Sequence, residues 1–277
     1  MKDLRQNLLD LTGRVAIITG GTGFLGRQHA EAIAGAGGIP VLADILLRDP
    51  LPHNDDWNDR FGESACAIQV DITQPESVQA LLSEVLDRYG RVDILVNNAA
   101  NNPKMEDKSD TEFSRLEFFP LKQWEGDLAI GLTGAFLCSK IIGSEMAHQK
   151  RGVIVNIASD LALIAPDQRL YRQAGLPDEH QPVKPVTYSV VKTGLIGLTR
   201  YLATYWANCG VRVNALSPGG IYNGQPDEFV QRLNNLIPLG RMAHLNEYQG
   251  AILFLCSDAS SYMTGTNLIV DGGRSCW

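Results

Sequence analysis

Residues 14–26, RVAIITGGTGFLG, decide the fold. Arg14 to Thr19 is a short apolar, β-branched run that stops abruptly at glycines, as a strand buried on both faces does. Gly20-Gly21-Thr22-Gly23-Phe24-Leu25-Gly26 follows, and residues 27–35 then carry a helical pattern. Strand, glycine turn and helix in this order form the context in which a glycine-rich motif gains meaning. Gly20 permits a tight turn, Gly23 lets a pyrophosphate approach the backbone, and Gly26 allows close helix–strand packing. The helix N-terminus offers amide donors and a favourable dipole to phosphate.

Further along, the same alternation repeats. Strands are expected at residues 38–43, 65–70, 92–96, 152–158, 211–216 and 267–270, and helices at 76–89, 124–149, 188–207 and 247–257. Glycines inside the 124–149 helix point to close helix packing, such as a subunit interface. The linkers are short, with no break in composition, repeat or low-complexity segment. The expected architecture is α/β: a single doubly wound Rossmann domain over residues 1–277, with seven parallel strands flanked by helices. Ligands in such sheets lie beyond the carboxyl ends of the strands. Gly20, Asp44, Asp71, Asn97, Ser159 and Pro218 all fall at strand ends and should converge on one crevice. Asp44 stands where a carboxylate would read a ribose 2′-hydroxyl and repel a 2′-phosphate, which favours NAD over NADP; Arg48 weighs the other way. A strand-end turn former is the alternative role for Asp44. Asp71 could meet an adenine edge or cap the next helix. Asn97 can pin adjoining strands through its amide.

Among 277 residues, 44% are hydrophobic and 20% charged, as in an ordinary globular protein. A net charge of −7 argues against a nucleic-acid or anionic-membrane partner. No apolar run reads as a spanning helix, and residues 1–11 lack the core of a signal peptide. The five cysteines are scattered without metal-ligand spacing, so no metal site is expected, and reduced thiols in a cytoplasm are.

Tyr188 and Lys192 are four residues apart on an expected helix and so share one face. An ammonium beside a phenol favours the phenolate, lowering the tyrosine's pKa from ~10 toward neutrality. The pair is a candidate general acid/base.

With these pieces in order, the chain resembles the short-chain dehydrogenase/reductase family over essentially its whole length. The residues carrying the resemblance are Thr19 to Gly26, Asp71, Asn97-Asn98-Ala99-Ala100, Ser159, Tyr188 with Lys192, Ser217-Pro218-Gly219-Gly220, Tyr262 to Gly265, and Val270-Asp271-Gly272-Gly273. The resemblance implies that Tyr188 is the general acid/base, that Ser159 hydrogen-bonds the reacting oxygen, and that Lys192 holds the nicotinamide ribose. Hydride would pass between the nicotinamide and a secondary alcohol or ketone. It implies a cofactor site made by Thr19, Gly20, Thr22, Gly23, Phe24, Leu25, Gly26, Asp44, Asp71, Ile72, Asn98, Ala99, Ala100, Tyr188, Lys192, Pro218, Gly219, Ile221 and Asn223. It also implies a homodimer or homotetramer.

Four features depart from the family pattern. The glycine turn has the TGxxGxxG spacing of the longer, sugar-nucleotide branch. Gly131 replaces a catalytic asparagine that kinks its helix and anchors a water feeding the lysine; glycine can keep the kink but has no amide. Asn223 stands where a threonine often bonds the carboxamide. Ser159 and Tyr188 are more widely separated than in most relatives, so the insert over residues 161–186 must sit above the active site. Its Arg169, Arg172, His180 and Lys184 could meet a phosphate or carboxylate, and Gln168 and Gln173 could read hydroxyls. A solvated loop or oligomer contact is the other reading of the insert. Residues 101–123 could form an opposite wall, and residues 221–239 a polar lid. Together these favour a polar, sugar-like substrate. The helix after Tyr188 and the tail also resemble reductases of bacterial surface-sugar biosynthesis. A catalytically silent NAD-binding sensor and a sugar epimerase or dehydratase with retained NAD are the competing readings.

Overall fold

Seven strands hydrogen-bond in the order β3-β2-β1-β4-β5-β6-β7, every pair parallel. They are β1 (Val15–Thr19), β2 (Ile39–Asp44), β3 (Cys66–Gln69), β4 (Ile94–Asn97), β5 (Gly152–Ile157), β6 (Val211–Pro218) and β7 (Asn267–Val270). The structure, a computed structural model, describes residues 7–47, 59–101 and 114–277. Arg48 and most of the proposed opposite wall, residues 102–113, lie outside them.

The seven strands expected from the sequence are present, with edges shifted by a residue or two. The central strands β1, β4, β5 and β6 are buried on both faces because helices cover both. Val15 and Ile17 join Val41, Leu95 and Val213 on one face. There they pack on α2 (Pro75–Tyr89), α4 (Gly134–His148) and α5 (Val186–Tyr205). Ala16 and Ile18 point the other way, with Leu42, Val96 and Val155. These meet α1 (Phe24–Gly35) and α7 (Gln249–Cys256). Each such side chain, fully buried, contributes about 1.5–3 kcal/mol of transfer free energy.

The 124–149 helix differs from expectation. It is α3 (Leu121–Leu128), a π-helical turn (Ala129–Thr133) and then α4. Close packing at its glycines is met inside the chain at Gly131, Gly134 and Gly143. A Cβ on Gly131 would come 2.5 Å from Val191 Cγ1, one on Gly134 2.6 Å from Ile72 Cδ1, and one on Gly143 2.6 Å from Trp206. The continuous stretch Leu121–His148 is long and apolar enough to cross a membrane, but Cys138, Ile142 and Met146 are buried in the sheet-facing core, as in a core helix.

A buried polar chain ties the middle of the sheet to its helices. Asn97 Nδ2 donates to Asn156 Oδ1 at 2.8 Å and to Ser139 Oγ at 3.0 Å. Asn156 Nδ2 donates to Thr199 Oγ1 at 2.8 Å. Asn97 thus pins β4 to β5 and to α4, as its amide suggested.

Candidate active site

The carboxyl ends of the strands open into one cleft of about 710 Å³. Strand order reverses between β1 and β4, and the cleft runs across that switch point. Its lining contains Gly20, Thr22, Gly23, Phe24 and Leu25 from the glycine turn. Asp44, Asp71 and Ile72 follow, then Asn98 to Ala100, then Ser159, Tyr188, Lys192, Pro218, Gly219, Ile221 and Asn223. Thr19 and Gly26 stand behind this wall and brace it. Thr19 Oγ1 accepts from the backbone amides of Asn98 (3.0 Å) and Ala99 (3.1 Å). A Cβ on Gly26 would come 2.2 Å from the carbonyl oxygen of Gly20.

The half of the cleft over β1–β4 fits a dinucleotide by its own geometry. Gly20 has φ +61°, and a Cβ there would lie 2.9 Å from Ala99 Cα. Gly23 caps α1 without a side-chain hydrogen bond, and no acid stands in the first turn, so the helix presents its amides to the cleft. Thr22 donates to Asp44 Oδ2 from its amide (3.1 Å) and its hydroxyl (2.8 Å). Leu46 N donates to Asp44 Oδ1 at 3.3 Å. Asp44 therefore shapes a turn and lines the cleft at once. Asp71 Oδ1 accepts from Thr73 N (2.9 Å) and Thr73 Oγ1 (2.7 Å). It makes a local turn, and the N-cap of α2 is Gln74 instead.

Over β5 and α5 the reactive groups meet. Ser159 follows β5, and its Oγ donates to Asp160 Oδ1 at 2.8 Å. Tyr188 stands beside Ser159, whose side chain favours its phenolate, and Lys192 Nζ donates to the carbonyl of Ile157 at 2.7 Å. The phenol's pKa is not lowered here, contrary to the expectation from spacing. Burial pushes it up, the Ser159 bond draws it back, and the Asp160 carboxylate adds to the rise. Lys192 is itself desolvated: burial, then the charge of Lys184, bring its ammonium down to about 8. Lys184, also held near 8 by burial, places Nζ 3.8 Å from the centroid of the Tyr188 ring; Lys192 Nζ is 5.9 Å away.

A small cavity with room for about a single water adjoins this group, lined by Gly131, Val191, Lys192, Thr187 and Asp127. Asp127 is buried, a residue the sequence reading passed over. Its Oδ1 accepts from Asn101 and Gln123, both at 2.7 Å, and its Oδ2 from Thr187 Oγ1 at 2.5 Å. It staples the start of α5 to α3 and to the loop after β4.

The substrate end is closed by the 161–186 insert and residues 221–239. Leu170 of the insert is buried with Leu233, Ile237 and Met242, and Tyr171 meets the Phe229 ring at 5.7 Å. The inner side of this lid is thus apolar, whereas composition suggested a polar one. Arg169 pairs with Asp167 at 2.7 Å and Arg172 pairs with Asp178, all on the outer surface. Gln168 Oε1 accepts from the Lys184 amide at 2.8 Å, and Gln173 pairs with Gln181. Of the four insert cations, Lys184 alone lines the cleft among the described residues. A second cation comes from the chain end, where no motif pointed to it. Arg274 is buried and donates to Asp160 Oδ2 at 2.8 Å.

Sequence comparison agrees with this geometry. Residues 14–171 match the family described as short chain dehydrogenase, and residues 178–275 match that described as enoyl-(acyl carrier protein) reductase. The chain belongs to the short-chain dehydrogenase/reductase family. It is an oxidoreductase acting on alcohol and ketone groups with a nicotinamide cofactor. An NAD-dependent glycerol dehydrogenase of Listeria innocua is 33% identical over 95% of this chain and 94% of its own. A 3-oxoacyl-[acyl-carrier-protein] reductase of Synechocystis is 32% identical, with 95% and 97% covered. The crystal structure of a gluconate 5-dehydrogenase from Burkholderia cenocepacia, in complex with NADP and tartrate, superposes with a TM-score of 0.83 at 27% identity, covering 98% of each chain.

Proposed function

We propose that this enzyme interconverts a polyol, or similarly hydroxylated small molecule, and the corresponding ketone, with NAD(H) as the hydride carrier. The observation that carries the reading is the convergence of Ser159, Tyr188 and Lys192 on a cleft in which Asp160, Lys184 and Arg274 stand beside them. Charge stands at this end of the cleft, in the Asp160–Arg274 pair and at Lys184, where a polar ligand has groups to meet. The polyol-class relative and the structure containing tartrate point the same way.

A bound nicotinamide dinucleotide supplies the hydride acceptor or donor. The glycine turn and the first amides of α1 would hold its pyrophosphate, and Asn98 to Ala100 its ribose. Asp44 at the end of β2 supports NAD over NADP by accepting from a free 2′-hydroxyl. Tyr188 takes the alcohol proton during oxidation and returns it during reduction. Its phenolate is disfavoured by burial, so a charge brought close when the cleft fills must tip it. Ser159 holds the reacting oxygen. Lys192, anchored on the Ile157 carbonyl, places positive charge behind the tyrosine. Phe136, Tyr201 and Tyr205, exposed on α4 and α5, support a homo-oligomer. The surface-sugar association rests on sequence in α5 and the tail, and the substrate reading does not depend on it.

The test is a panel of polyols with NAD⁺ or NADP⁺ and purified protein. Stoichiometric NADH alongside ketone is the expected result. Isomerisation without net NADH would identify an epimerase, and binding without turnover a sensor; either would sink the proposal.

A further inference from the structure

The Asp160–Arg274 pair has a place and a chemistry that the hydride-transfer scheme does not use. Asp160 directly follows Ser159 at the end of β5, and both of its oxygens are engaged. Oδ1 accepts from Ser159 Oγ (2.8 Å) and Leu161 N (2.8 Å), and Oδ2 accepts from Arg274 (2.8 Å). The two side chains are 4% and 8% exposed, so the pair is nearly dry. It still lines the cleft beside the serine. The tail is built to deliver the arginine there. Asp271 accepts from the amides of Gly273 and Ser275, both at 2.8 Å, and the turn passes through Gly272 and Gly273 at φ +67° and +88°. Among the described residues, the Asp160 bond is the guanidinium's one hydrogen bond to protein. Arg274 is itself part of the cleft lining.

Burying an ion pair is a weak source of stability, because desolvation offsets most of the attraction. A pair retained beside the reacting oxygen, with donors to spare, suits recognition. A hydroxyl is donor and acceptor together. One placed on the carbon next to the reacting carbinol could donate to Asp160 Oδ2, which keeps a lone pair, and accept from Arg274. A ligand carboxylate in that place would face Asp160 at close range. A hydrogen or methyl would leave both groups unanswered.

Resting on the polyol reading above, we infer that Asp160 and Arg274 form a subsite for a neutral hydroxyl vicinal to the carbinol being oxidised, making the enzyme selective for vicinal diols.

Glycerol and isopropanol test this, since each offers a secondary carbinol on the same carbon skeleton and they differ in the flanking hydroxyls. The quantity measured is the ratio of kcat/KM for the two with NAD⁺, which a general loss of folded protein does not move. The unmodified enzyme should favour glycerol by about ten- to a hundredfold, as a site built to bond a hydroxyl does. Asp160→Asn should bring that ratio close to one. Because Asp160→Asn strands a buried cation and could fail to fold, Asp160→Asn/Arg274→Met serves as the second variant, and its ratio should collapse equally. A ratio retained in the folded variants overturns the subsite, as does a preference for gluconate over glycerol that Arg274→Met abolishes. Oxidation of no polyol in the wider panel would overturn the subsite together with the polyol reading, whereas turnover with an unmoved ratio overturns the subsite alone.

Discussion

The two halves of the cleft are built by different rules. The dinucleotide half is carried by the sheet: the glycine turn, Asp44, Asp71 and Asn98 to Ala100 sit at the ends of neighbouring strands, with Thr22 bonded to Asp44 and the amides of Asn98 and Ala99 to Thr19. The substrate half is assembled from distant pieces. Arg274 reaches Asp160 across 114 positions, and Leu170 of the insert packs on Leu233 and Met242. The first half is fixed once the sheet forms. The second depends on how an insert, a lid and a chain end settle over it.

The largest expected effect belongs to the seam between the halves. Tyr188→Phe should lower kcat by about a thousandfold, since general acid–base contributions run to that order. NADH affinity, read by fluorescence titration, should stay near that of the unmodified protein. A retained rate would refute the assignment. Next is the wall of the dinucleotide half. Gly26→Ala sets a methyl 2.2 Å from the Gly20 carbonyl. It should cost about 1–3 kcal/mol in denaturant unfolding and weaken NADH binding, with the glycerol-to-isopropanol ratio unmoved. If binding were unchanged, the turn would not be the phosphate cradle.

Gly131→Asn tests the packing at the π-helical turn. Restoring the family's asparagine should not simply speed the enzyme, because the new Cβ meets Val191 Cγ1 at 2.5 Å. A loss of about 1–3 kcal/mol in stability is expected, and an unperturbed, faster variant would show that α4 and α5 can separate there.

His29 on α1 gives a pH test confined to the dinucleotide half. Both ring nitrogens are buried without partners, and burial lowers its pKa from 6.5 to about 4. The unfolded chain therefore binds the proton first as pH falls. Stability is fully present above 6.5 and declines as pH drops toward 4. The loss by pH 4 is on the order of 3 kcal/mol. His29→Leu should flatten that part of the Tm–pH curve, and an identical slope in both proteins would exclude His29 as its source. The smallest effect is at Asp44. Asp44→Ala should lower the NAD-over-NADP ratio of kcat/KM by about tenfold, the value of a single hydrogen bond to a charged group. Unchanged discrimination would remove Asp44 from ribose recognition.

Much of this was legible beforehand for identifiable reasons. Strands read well because parallel strands covered on both faces are continuous apolar runs. The glycine turn read well because a positive φ at Gly20 and a close approach at Gly26 leave few other residues possible. The long helix was seen but not its π turn, because Ala129–Thr133 differs from α-helix only in which carbonyl each amide finds. Its glycines point to close packing, and only the folded chain shows that Val191, Ile72 and Trp206 are the neighbours of Gly131, Gly134 and Gly143. Asp127 and Arg274 carried no motif, and isolated charged residues read as surface. The Tyr188 pKa was misjudged because charge spacing is written in the sequence and desolvation is not.

By itself, then, the sequence determined the layered sheet and the crevice at its carboxyl edge, because both follow from short-range periodicity and strand-end position; the Ser159, Tyr188 and Lys192 trio came from the order of motifs that carries the family resemblance. Tertiary structure alone decided which charges face the substrate. Arg169 and Arg172 are spent on surface carboxylates, while Lys184 and the tail's Arg274 line the cleft. That choice is set by burial and long-range packing, which no local spacing encodes.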